Sequence, residues 1–282
     1  MLCVFWVGSV DNKIDKFQQE IMFTNTVLQE DCTVNNYLSK KPIPVRERLI
    51  FPLDVPTHRE AIALVDELGD SIRFYKLGLQ IFMAQGNYNT LIDQLSERAK
   101  KVFVDLKFYD IPETVGSAVR QMRNNKVEFL TVHGADENFR AAVKEKNGIK
   151  ILAVTVLTSL DKTDLVDLGF DCEVEALVLS RARRAIALGC DGVISSGMEA
   201  SKLRENLGDK FLIISPGIRP LENKLVVDDQ KRIMTVEEAF HNGADYIVVG
   251  RPIRTAPNPK AKAEEIQRRI EGIFQQSRKN GS

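Results

Sequence analysis

The sequence predicts a single (β/α)8 barrel with an irregular N-terminal extension, on three observations. Eight short apolar or β-branched runs follow one another between Arg48 and Val249. Amphipathic stretches of helical period separate them. Charged residues recur where the runs end, which is where such a barrel places its chemistry.

The eight runs are Arg48–Asp54, Arg73–Leu77, Lys101–Lys107, Phe129–His133, Ile149–Thr155, Gly192–Ser195, Phe211–Ser215 and Tyr246–Val249. Each is short and mostly apolar, as a parallel strand buried on both faces must be. The helix candidates are His58–Leu68, Asn89–Ala99, Thr114–Asn124, Glu173–Leu188, Val236–Asn242 and Ala261–Phe274. Strand count alone leaves a doubly wound open sheet as the alternative. Met1–Val45 shows no clear period and closes on Lys-Lys-Pro-Ile-Pro, an extended, linker-like segment. The expected organisation is an extension over residues 1–47, a barrel over 48–275 and a tail over 276–282.

Composition narrows the function classes. The 282 residues hold 39 Lys plus Arg against 39 Asp plus Glu, so the formal net charge is zero. A nucleic-acid partner calls for a basic excess or a basic face, and none is evident. The densest basic cluster, Arg181–Arg184, reads as the solvated face of a helix. Four cysteines, Cys3, Cys32, Cys172 and Cys190, lie far apart without a CxxC pair, which argues against a disulfide framework or a zinc site. No apolar run approaches the roughly 18 residues that span a bilayer. Met1–Val10 lacks the basic flank and small-residue cleavage site of a signal peptide. The expectation is a cytoplasmic protein with no membrane and no nucleic-acid partner.

Reading the run ends in order gives Asp54, Lys76, then Asp105-Leu-Lys107-Phe-Tyr-Asp110, followed by Leu157-Thr158-Ser159, Pro216-Gly217-Ile218-Arg219 and Gly250-Arg251-Pro252. Strand alternation puts Asp105 and Lys107 on one face, while Asp110 falls in the following turn. A lone strand-end Asp or Lys is ordinarily a cap or a surface ion pair, and a single DxKxxD match is a weak motif. Convergence of several such ends, with a separate anion site, is what carries the reading. That anion site is expected after the last two strands, where barrels commonly hold phosphate. Gly250 admits a close backbone approach there, and Arg251 supplies a two-pronged donor. Gly243 is expected to end the preceding helix. Leu221–Thr235 is long and polar for a barrel loop, and contains Gln230, which is expected to close on the phosphate.

These residues, in this order, resemble the orotidine 5'-phosphate decarboxylases over about Arg48 to Ile270. The most specific stretch is Val102-Phe-Val-Asp105-Leu-Lys107-Phe-Tyr-Asp110-Ile-Pro-Glu-Thr-Val115. Leu53-Asp54-Val55, Tyr75-Lys76-Leu77-Gly78, Ser215-Pro-Gly-Ile-Arg219-Pro220, Asp228-Asp-Gln230-Lys-Arg232 and Val249-Gly250-Arg251-Pro-Ile253 support it. The resemblance implies decarboxylation of orotidine 5'-phosphate to UMP in de novo pyrimidine biosynthesis, without metal or other cofactor, by a homodimer with a shared site. It implies Lys107 as the proton donor, Asp105 beside the scissile carboxylate, and Asp110 crossing into the partner's site. Asp54 and Lys76 would bind the ribose, Thr158 would read the pyrimidine, and Arg219, Gln230, Gly250 and Arg251 would grip the phosphate.

Two rivals share the pattern. Magnesium-dependent sugar-phosphate decarboxylases and synthases, such as 3-keto-gulonate-phosphate decarboxylase and hexulose-phosphate synthase, typically carry Glu where this chain has Lys76, and a lysine there repels a cation. A non-catalytic nucleotide-binding relative would be expected to lack part of the charged set. A serine hydrolase is set aside because no GxSxG elbow accompanies His58, His133 and His241.

Overall fold

The computed structural model describes residues 37–122, 126–219 and 234–279. Its eight strands form a closed parallel barrel in sequence order, each strand pairing with the next and β8 with β1. The strands are β1 (Leu49–Pro52), β2 (Phe74–Leu77), β3 (Lys101–Phe108), β4 (Val127–Val132), β5 (Lys150–Val154), β6 (Gly192–Ile194), β7 (Leu212–Ser215) and β8 (Tyr246–Val248). Closure rules out the doubly wound alternative.

A helix occupies each of the six expected places, and those at Leu79–Phe82, Asp136–Glu145, Lys162–Asp167, Gly197–Leu207 and Arg251–Arg254 lie outside the candidate stretches. Local chemistry sets their ends. α1 (His58–Leu68) starts at Thr57, whose hydroxyl accepts the Glu60 N–H at 3.1 Å. α2 (Leu79–Phe82) is one short turn after β2, and α3 (Tyr88–Glu97) is capped by the Asn87 side chain. α4 (Pro112–Gln121) opens with proline at its first position, where a missing N–H loses nothing. α5 (Asp136–Glu145), α6 (Lys162–Asp167), α7 (Val174–Ala187) and α8 (Gly197–Leu207) follow. α9 (Val236–His241) ends at Asn242, and Gly243 beyond it has φ +104°, as expected of a helix-ending glycine. α10 (Arg251–Arg254) and α11 (Pro259–Lys279) complete the ring.

The barrel interior is filled from alternate strand positions. Ile50, Phe74, Phe103, Phe129, Leu152, Ile214, Tyr246 and Val248 form one buried cluster, separate from the larger one between strands and helices. Phe74, Phe129 and Tyr246 meet pairwise at 4.9–5.8 Å between ring centroids, an aromatic plug that closes the barrel. Gly192 starts β6 because a Cβ there would lie 2.5 Å from the Leu212 carbonyl.

Residues 37–47 are not a loose linker but part of the barrel's base. Tyr37 N–H donates to the His241 carbonyl, Leu38 is buried, and Val45–Glu47 make a single 3-10 turn. The anchor is Asp245, fully buried just before β8. Its carboxylate accepts from Ser39, from Lys41 at 3.1 Å, from Arg204 at 2.7 Å and from the Ile213 N–H at 2.9 Å. Arg48, also buried, stacks 4.0 Å over Phe274 and donates to the carbonyls of Asp245 and Lys41. Residues 1–36, including Cys3 and Cys32, lie outside the described residues.

The basic cluster is not a uniformly solvated face. Arg181 turns inward, donating to the Thr155 carbonyl at 2.7 Å and covering the Phe170 ring, while Arg184 pairs with Asp136 at the surface. Cys172 and Cys190 are free thiols, and burial pushes the Cys190 thiol up to about 12, leaving it unreactive. No helix among the described residues is long and apolar enough to cross a membrane.

Removing the charge of Asp245 takes from Arg204 and Lys41 the carboxylate that both contact. Asp245→Asn is therefore expected to lower unfolding free energy by about 3–5 kcal/mol. Urea denaturation checks this; an unchanged midpoint would show that the base does not depend on this carboxylate.

Candidate active site

The strand ends named in the sequence converge on one cavity of about 610 Å³ at the C-terminal mouth of the barrel. Its lining includes Asp54 after β1, Lys76 of β2, Asp105 and Lys107 of β3, Thr158 after β5, Arg219 after β7, and Gly250 and Arg251 after β8. Of the expected site residues, Asp110 does not line it, and Gln230 lies outside the described residues, as do Leu221–Ile233 of the expected lid.

Four charged side chains stand in a row. Lys76 Nζ lies 3.8 Å from Asp54 Oδ1 and 3.2 Å from Asp105 Oδ2, and Lys107 Nζ lies 3.0 Å from Asp105 Oδ1. Within one chain the alternation is thus Asp54–Lys76–Asp105–Lys107. Asp110 is exposed, its Oδ1 accepting the neighbouring Ile111 N–H at 2.6 Å. The turn carrying it is tied down by Asn138, whose side-chain amide donates to the Asp110 carbonyl.

Electrostatics favour the ionised state of the inner pair. Burial works against charge on Asp105, yet Lys76 and then Lys107 outweigh it and hold the carboxyl below its ordinary range. Burial likewise opposes charge on Lys76, and Asp105 and Asp54 overcome it, raising its pKa. At 3.2 Å the Lys76–Asp105 attraction is about 5 kcal/mol at an effective dielectric of about 20, before desolvation is subtracted.

The backbone delivers Lys107 in an unexpected way. Simple alternation does not hold along β3: Val104 pairs with Leu130 and Phe108 with Val132, so Asp105–Lys107 face Thr131 alone. This bulge puts Lys107 at φ +49°, a left-handed conformation that disfavours any residue with a Cβ by about 1–2 kcal/mol. Strain of this kind clusters at functional positions, because only surrounding structure can maintain it. Thr131, buried in β4, links the Lys107 N–H to Asp105 through its hydroxyl. No motif marks it, and its one sequence signal is a hydroxyl in the otherwise apolar run Phe129–Val132.

At the other side of the mouth the cations gather. Arg219 is buried, and its N–H donates to the Met234 carbonyl at 2.8 Å, so the chain leaves at 219 and returns at 234 in one place. Gly250 is required by contact as well as by ligand access, since a Cβ would meet Pro52 Cγ at 2.7 Å. Arg254, which no sequence motif marks, lines the cavity and donates to the Asp54 carbonyl, joining the ends of β8 and β1. Among the described lining residues, Lys76, Lys107, Arg219, Arg251 and Arg254 outnumber the carboxylates Asp54 and Asp105. Such a cavity suits a ligand of several negative charges. No group of three His, Cys, Asp or Glu side chains among the described residues is arranged to hold a metal ion.

Residues 47–266 match the signature of the family described as orotidine 5'-phosphate decarboxylase / HUMPS. The chain belongs to that family. An orotidine 5'-phosphate decarboxylase from Methylococcus capsulatus is 56% identical over 239 residues, covering 85% of this chain and 98% of that protein. One from Xanthomonas oryzae is 49% identical over 245 residues, covering 86% and 100%. Among solved structures, the orotidine 5'-phosphate decarboxylase of Lactobacillus acidophilus superposes with a TM-score of 0.69 at 34% identity, covering 79% of this chain and 99% of that one. Family membership accounts for the barrel, and the geometry above is this member's own.

The strain at Lys107 can be measured apart from its charge. Lys107→Gly and Lys107→Ala both lose the ammonium, but only Ala keeps the Cβ. The Gly variant is expected to be more stable than the Ala variant by about 1 kcal/mol in chemical denaturation. Equal stability would show that the left-handed backbone carries no strain.

Proposed function

We propose that this chain converts orotidine 5'-phosphate to UMP and CO2, a step of pyrimidine biosynthesis, with Lys107 as the proton donor. Family membership and relatives up to 56% identical over nearly their full length support the reaction. The observation that carries the mechanism is the Lys107 ammonium, held 3.0 Å from a carboxylate that also faces Lys76.

The chemistry demands such an arrangement. Breaking the bond between C6 and the carboxyl group leaves its electron pair in an in-plane orbital, where the ring cannot delocalise it. A fixed ammonium stabilises the developing charge, then transfers its proton to C6, giving UMP and a neutral amine that solvent recharges. Asp105, kept ionised by its lysine neighbours, presents negative charge near the substrate carboxylate and opposes the ground state. Asp54 and Lys76 would bind the ribose hydroxyls, and Thr158 the pyrimidine edge. Arg219, Gly250, Arg251 and Gln230 would take the phosphate, whose remote binding energy offsets the cost of orienting the ring. The excess of cations in the mouth matches a substrate bearing both a phosphate and a carboxylate.

Lys76 separates this reading from a magnesium-dependent sugar-phosphate enzyme. Its ammonium stands between Asp54 and Asp105, the carboxylates a cation would need. The barrel carries the reaction, as a homodimer in the cytoplasm. Asp110 reaches the partner's site: it is exposed between Tyr109 and Ile111, themselves 71% and 66% exposed, an apolar pair suited to burial against a second copy.

An ultraviolet assay of orotidine 5'-phosphate consumption should show full turnover in excess EDTA and a loss of about 1,000-fold or more in Lys107→Ala, with UMP binding retained. Chelator sensitivity would favour the magnesium enzymes, and near-normal turnover of Lys107→Ala would remove the donor assignment. Mixing inactive Asp110→Ala and Lys107→Ala chains should restore activity to about a quarter of the sites, since each mixed dimer regains one complete site. No recovery despite proven subunit exchange would refute the shared site.

A further inference from the structure

A bulge leaves main-chain groups without ladder partners, and something else must satisfy them. Here three residues of β3, Asp105–Lys107, span the interval in which β4 has only Thr131. Thr131 is fully buried and does not line the cavity. Its Oγ1 accepts the Lys107 N–H at 3.0 Å and donates to Asp105 Oδ1 at 2.9 Å. A hydroxyl has one proton to give. Directed at Asp105, that proton requires an acceptor there, which the ionised carboxylate supplies. The same Oδ1 receives the Lys107 ammonium at 3.0 Å. Lys107 is therefore held at its main chain by Thr131 and at its tip by Asp105, while Thr131 also fixes Asp105.

We propose that Thr131 is a positioning residue of this site. Its hydroxyl pins the left-handed Lys107 backbone and sets the orientation of the Asp105 carboxylate, so that both charges meet the substrate already in place. It acts through its two neighbours rather than on the substrate. The inference rests on the reading of Lys107 as proton donor, and it extends the site to a strand end at which the sequence showed no charge. Left-handed backbone at a residue with a Cβ needs support, and the hydroxyl supplies it at the position where the β3–β4 ladder is interrupted.

Thr131→Val keeps the shape but strands the Lys107 N–H and removes a donor from Asp105, whereas Thr131→Ser keeps the hydroxyl. The Val variant is expected to lose about 10- to 100-fold in kcat with KM changed less than about threefold, a size typical of misplaced reacting groups. The Ser variant should stay within about threefold of the parent. Carboxyl-carbon NMR of the unliganded enzyme should show the Asp105 titration moved upward in Val and not in Ser, a readout independent of turnover. Thr131→Ala repeats both measurements should Val fold poorly. The proposal is overturned if Val turns over normally with an unmoved Asp105 titration, if Ser and Val are equally impaired, or if the loss lies wholly in KM. Turnover by Lys107→Ala in the same assay would instead sink the donor reading, leaving the Asp105 titration to judge Thr131 alone.

Discussion

Asp105 is the group around which the mouth of the barrel is organised. Its two oxygens receive two ammonium groups and one hydroxyl, from β2, β3 and β4. Buried without them, a carboxylate would take up a proton and cease to order anything. With them it stays ionised, and each lysine is held by the charge it neutralises. The row Asp54–Lys76–Asp105–Lys107 works as a unit because its buried inner pair, Lys76 and Asp105, stays charged only through its neighbours.

Such a row has to be built on strands that do not move, and the fold provides them. The aromatic plug of Phe74, Phe129 and Tyr246 fills the interior, and Phe103, one turn of side chains below Asp105, lines the cavity. At the opposite end Asp245 plays the same electrostatic part for stability, drawing Arg204, Lys41 and Ser39 onto the base. One carboxylate at each end of the barrel gathers cations. At the base the donors from Ser39, Lys41 and Arg204 close on the carboxylate, which ties residues 39–48 to the barrel. At the mouth they face a cavity with an excess of positive charge, open to an anionic substrate.

The bulge in β3 links these demands to the chemistry. A regular strand would carry Asp105 and Lys107 outward on parallel courses. Interrupting the ladder turns Lys107 into the left-handed region, and its ammonium folds back onto Asp105 at 3.0 Å. The strain is local and is opposed by two hydrogen bonds, so the Lys107 ammonium is held without any contact from the substrate.

By itself the sequence determined the barrel, the placement of all eight strands to within two residues, and the convergence of Asp54, Lys76, Asp105, Lys107, Thr158, Arg219, Gly250 and Arg251. It could do so because strand periodicity and charge at strand ends are local signals, and a closed barrel brings every strand end to one mouth. Tertiary structure alone decided that Asp54 stands beside Lys76 and completes the row within one chain. It also decided that Arg254 joins the cavity, that Arg181 turns inward, and that residues 37–47 belong to the base. Thr131 shows the reason most clearly. A threonine in an apolar strand has no distinctive pattern, and its role exists only because a bulge in the neighbouring strand, invisible in either stretch of sequence, sets two hydrogen-bonding groups opposite it.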